Sequence, residues 1–179
     1  MNYRISALAG TSLAAILAVS MVVMPAAFAT AHEGTYLDIV SAEVQEKDDS
    51  VKLELYTAED AAAGVPSAYG YVALTEDGQD MLAVTTHFGV VDENPESTED
   101  TAFFHTHIVD IVGSCEEGVQ VSADPDAVGE FKIDGTEIKV TDVDSSLVGE
   151  LTGTVASFTI HLEGSNVCVV PIEAEASSD

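Results

Sequence analysis

The chain has 179 residues, with 32 acidic side chains against five basic ones and a formal net charge of −27. A field of that sign repels nucleic acid, anionic lipid surfaces and anionic substrates, and it gathers cations. The length suits a single domain, large enough to bury a substantial core even after a leader is removed.

The N-terminus has the layout of a secretory signal peptide. Arg4 precedes an uncharged run of apolar and small residues from Ile5 to Ala31, which ends in the overlapping sites Ala27-Phe28-Ala29 and Ala29-Thr30-Ala31. Residues 1–29 are expected to be cleaved after Ala29, with Ala31 as the second possible cleavage site. The alternative is a retained membrane anchor, since the run is long enough to cross a hydrocarbon core of about 30 Å. In both cases the rest of the chain is extracytoplasmic, secreted or tethered. The compartment is then oxidising, and the two cysteines, Cys115 and Cys168, are expected to form a disulfide.

Beyond the leader the pattern is β. Candidate strands fall at 36–45, 51–57, 69–75, 82–91, 102–112, 119–122, 129–133, 136–141, 151–162 and 166–172, all rich in Val, Ile, Thr, Phe and Tyr. Glu76-Asp77-Gly78, Asp134-Gly135 and Gly164-Ser165-Asn166 punctuate them, and Asp134-Gly135 suits a two-residue hairpin. Only Thr57 to Gly64, with its three alanines, reads as a short helix. The expected fold class is all-β: one sandwich, or partly closed barrel, of about 8–10 mostly antiparallel strands. It spans 30–172, is stapled by Cys115–Cys168, and is followed by a frayed acidic tail at 173–179.

Parity along the strands sorts the histidines. Side chains alternate between faces, so His87 stands with Met81, Ala83 and Thr85, opposite the apolar row of Leu82 and Val84. His161 stands with Val155, Ser157 and Thr159, opposite Ala156, Phe158 and Ile160. In the run Phe103 to Cys115, His105 and His107 share a face with Val109 and Ile111, and the other face is also largely apolar. That pattern marks a strand covered on both sides. An unpaired buried polar group there costs roughly 1–3 kcal/mol, so two imidazoles on one covered face need partners. A metal ion satisfies one nitrogen of each.

Side chains two apart on a strand stand about 6.5–7 Å apart at the backbone, close enough for their imidazoles to reach one ion. The candidate ligands are therefore His105 and His107, with His87 and His161 as sources of further nitrogens. Imidazole suits copper and zinc. The expected function is an extracytoplasmic copper- or zinc-binding protein. An enzyme, with an open position on a three-histidine ion, is a variant of that reading. The alternative is an acidic surface module without metal that binds a protein partner at the cell envelope.

Other chemistries find less support. A blue-copper centre needs a histidine and usually a methionine near its cysteine, and neither follows Cys168. The chain has no Gly-x-Ser-x-Gly nucleophile elbow. Calcium could draw on Asp92 to Asp100, Asp124-Pro125-Asp126 or the Asp142 and Asp144 pair, but none has the spacing of an EF-hand loop.

Overall fold

The β-rich runs become ten strands in the computed structural model, which describes residues 32–65, 67–87, 104–124 and 128–176. Four of them, β1 (Ile39–Lys47), β2 (Ser50–Thr57), β7 (Glu130–Asp134) and β8 (Glu137–Asp144), form one sheet in the order β1-β2-β8-β7. The other six are β3 (Tyr69–Thr75), β4 (Met81–Thr86), β5 (Phe104–Ser114), β6 (Val119–Ala123), β9 (Leu151–Glu163) and β10 (Asn166–Ala176). They close into a barrel in the order β10-β6-β5-β4-β3-β9, and every pairing is antiparallel.

This arrangement produces two apolar interiors. One lies between the four-stranded sheet and the wall of the barrel. It holds Leu53, Leu55, Ile138 and Val140 from the sheet, and Tyr69, Tyr71, Leu82, Val84 and Ile108 from the barrel. The second is the barrel lumen, lined by the residues of opposite parity: Val72, Met81, Ala83, Val109, Ala156 and Phe158. Strand β4 is consequently buried at every position, and β5 is covered on both faces along its first half. The two-sided apolar pattern of these strands is thus the signature of a wall between two cores.

The barrel's seams differ in length. Strands β9 and β10 pair from Asn166↔Glu163 to Ala176↔Thr154, whereas β10 meets β6 only through Val167↔Val121, Cys168↔Gln120 and Val169↔Val119. The Cys115–Cys168 disulfide, with Cα atoms 6.2 Å apart, braces that short seam. So does the turn between β5 and β6. Gly118 adopts φ +89°, and a Cβ there would come within 2.0 Å of the Val169 carbonyl oxygen, so the turn can lie against β10 only as glycine. The backbone amides of Glu116 and Glu117 donate to the Glu163 carboxylate, at 3.0 and 3.3 Å.

Three local features differ from the sequence reading. Thr57 to Gly64 is a series of turns instead of a helix. Asp60 accepts at its side chain from the Ala62 amide and at its carbonyl from the Ala63 amide. So short a run does not overcome the cost of helix nucleation, and the aspartate supplies a competing local bond. In the β7–β8 hairpin the two loop residues are Gly135 and Thr136, because Asp134 pairs with Glu137; this register sets Ile133 opposite Ile138. Strand β10 continues to Ala176, into the segment expected to fray, and residues 177–179 lie outside the described residues. The segment 1–29, expected to be a leader, and the acidic segment Asp92 to Asp100 lie outside them as well. Among the described residues no helix is long and apolar enough to cross a membrane.

Candidate metal centre

The two halves of the candidate site come from neighbouring strands. Strand β4 pairs with β5 in the register Thr85↔His105 and Ala83↔His107, and His87 follows directly on β4 with the same parity as Thr85. All three histidines therefore project to the lumen side, at one end of the barrel. His87 and His107 are buried, with 7% and 8% of their surface exposed, and His105 is half-buried.

The rings converge through their Nε2 atoms. His87 Nε2 lies 2.5 Å from His105 Nε2 and 3.5 Å from His107 Nε2. One nitrogen from each of the three falls within 4.8 Å of the others. The rings of His87 and His105 meet edge to face with centroids 4.3 Å apart, as do those of His105 and His107 at 4.6 Å. Two nitrogens bound tetrahedrally to one ion at 2.0–2.1 Å stand about 3.3 Å apart. The His87–His107 spacing is already close to that value, and His105 would have to withdraw by less than about 1 Å to match it.

The backbone prepares His107 for such a role. Its Nδ1 lies 2.8 Å from the carbonyl oxygen of Asp124. A proton on Nδ1 donates to that carbonyl, which leaves Nε2 as a lone-pair donor facing the other two rings, the tautomer a metal requires. Asp124 is itself anchored, since its amide donates to the Ile108 carbonyl at 2.9 Å. On the opposite face of β5, Thr106 bonds both the carbonyl and the amide of Val128. The connection between β6 and β7 is thus held from both faces of the strand that carries His105 and His107.

The remaining candidates lie elsewhere. His161 is on the outer face of β9, with Nε2 3.2 Å from the Glu163 carboxylate, and it is not among the converging nitrogens. Glu163 sits beside Cys115 and Cys168, but their sulfurs are joined to each other, so this second cluster offers no thiolate. The Glu163 carboxyl is held below the usual carboxylate range, chiefly by the Glu116 amide and further by His161 and the Glu117 amide. Of the acids considered for calcium, Asp144 caps a short 3-10 turn by accepting from the Ser146 amide and hydroxyl. Residues 125–127 of the second group lie outside the described residues.

Sequence parity alone does not expose three further participants. The Asp124 carbonyl is a backbone atom and leaves no trace in composition. Thr85 pairs directly with His105 across the ladder, buried, and its hydroxyl has no hydrogen-bond partner among the described residues. Gly70 of β3 lies opposite both Thr85 and Phe158, and a Cβ there would come within 2.6 Å of the Val84 carbonyl oxygen and 2.9 Å of the Phe158 ring. Removing that Cβ lets the aromatic ring reach across the lumen toward the site.

No known family model, curated protein or solved structure matches this chain.

Proposed function

We propose that the protein binds one transition-metal ion, copper or zinc, through Nε2 of His87, His105 and His107, outside the cytoplasm. The observation that carries this reading is the convergence of three imidazole nitrogens within 4.8 Å, two of them on buried rings. Neutral imidazoles suit both metals, and raw affinity favours Cu²⁺ over Zn²⁺. Three protein nitrogens also leave a fourth tetrahedral position for another ligand. The disulfide and the acidic surface fit an oxidising, cation-rich exterior, and the role is metal binding, delivery or sequestration there.

The test is metal content per chain, by elemental analysis of tag-free protein loaded with Cu²⁺ or Zn²⁺ and washed. About one ion per chain is expected on the stoichiometry of a single three-nitrogen site, with its loss in His107→Ala and in the His105→Ala/His107→Ala double variant. No bound metal in correctly folded wild-type protein would overturn the reading. It would favour the alternative, an acidic interaction module whose histidines are hydrogen-bonded core residues.

A further inference from the structure

The lumen behind the histidines is hollow. A cavity of about 560 Å³ reaches His87, His107 and Thr85, and a second of about 210 Å³ lies deeper, with only apolar residues along its wall. The two share Val109, Val121, Phe158 and Val169, so they adjoin along the lumen.

An eight-stranded barrel is just wide enough for side chains to fill it. This narrower six-stranded barrel stays open where its inward positions are small, at Gly70, Ala83, Ala156 and a series of valines. Protein interiors otherwise pack as densely as organic crystals, and the volume of this channel lies in the range of small-molecule sites. The lumen is also reachable, since Val121, Ile160 and Val169 are only partly buried.

Two observations define the head of an occupant. The buried Thr85 hydroxyl, in the wall of the larger chamber, has no hydrogen-bond partner among the described residues. In addition, no lysine or arginine among the described residues lines either chamber. The chain's four lysines, Lys47, Lys52, Lys132 and Lys139, all lie on the four-stranded sheet, and the larger chamber has Asp124 in its wall. The proposed ion would therefore supply the positive charge at the head of the lumen.

Resting on the metal site proposed above, we propose that the barrel lumen binds an elongated apolar molecule. Its single terminal nitrogen or oxygen donor completes the coordination of the histidine-bound ion, its head is hydrogen-bonded by Thr85, and its tail runs past Phe158 into the deeper chamber.

The experiment uses the full protein loaded with Co²⁺, whose visible bands report coordination, titrated with 4-methylimidazole and 4-hexylimidazole. Both probes are expected to shift the bands, with the hexyl compound binding at least about tenfold more tightly because its tail leaves water. Ala156→Leu, or Leu74→Phe should the first not fold, narrows the deeper chamber away from the histidines. Either is expected to preserve the cobalt spectrum and abolish the gain from the longer tail. Cobalt bands indifferent to tail length, or a tail-length gain that survives filling of the deeper chamber, would overturn this inference and leave the metal site standing. Absence of any cobalt spectrum from folded protein would overturn both.

Discussion

Removing the disulfide should open the barrel along one seam and leave the rest of the molecule largely intact. Cys115 and Cys168 are 53 residues apart in sequence, and chain entropy gives a crosslink over that span about 4 kcal/mol. The Cys115→Ala/Cys168→Ala variant should therefore lose about 4 kcal/mol in urea unfolding, equivalent to a fall of roughly 8–16 °C in Tm for a domain of this size. The loss should also be uneven. The β6–β10 seam has three paired positions, against the long β9–β10 ladder. Without the bond that seam becomes the weakest closure of the ring, and local opening requires less free energy than global unfolding. Amide hydrogen exchange should rise most at Val119, Val121, Val167 and Val169, and least along β3 and β4. A stability loss below about 1 kcal/mol, or exchange raised evenly across all six barrel strands, would refute the reasoning.

Other outcomes follow from the same geometry. Thr106→Val leaves the amide and carbonyl of Val128 without their side-chain partner and should cost about 1–3 kcal/mol by urea unfolding. Gly70→Ala, which drives a methyl against the Val84 carbonyl and the Phe158 ring, should lower Tm and displace Thr85 and His87 resonances in NMR spectra. Zn²⁺ at a hundred times its Kd should stabilise the wild type by about 2.7 kcal/mol and His107→Ala not at all, as read by thermal unfolding. Glu163→Gln should destabilise the protein near neutral pH. Because the folded-state pKa of Glu163 is lowered, its contribution is present above the ordinary carboxylate value and disappears as pH falls through the depressed one. The gap in Tm between wild type and Glu163→Gln should therefore close in acid, and a constant gap would remove Glu163 from that role.

Much of the fold was legible because strands announce themselves by period. The alternation in 69–75 and 151–162 located β3 and β9 closely, and an even cysteine count beyond a leader anticipated the disulfide. The shared face of His105 and His107 was equally readable, since it follows from two-residue spacing. The meaning of the other face was not. His87 lies opposite the apolar row of β4, and so does His161 on β9. On a sheet with one core both would point to solvent, but ring closure turns the inner face of the barrel into a second interior. His87 then projects inward with Ala83 and Thr85, while the same closure puts Phe158 inside and leaves His161 outside beside Glu163. Closure depends on β10 pairing with β6 through residues 46 to 50 apart in sequence (167 − 121 and 169 − 119), and local periodicity carries no information about that.

The three converging histidines come from the end of β4 and its immediate partner β5, whereas the last seam of the barrel waits for β10, the final strand among the described residues. The order of assembly is thereby split. A chain made from its N-terminus contains all three imidazoles before the residues that close the ring. The seam with β10 is added last and is tied when Cys115 and Cys168 join. If the site holds an ion, one supplied before that closure meets an open ribbon, and one supplied after it meets a finished barrel.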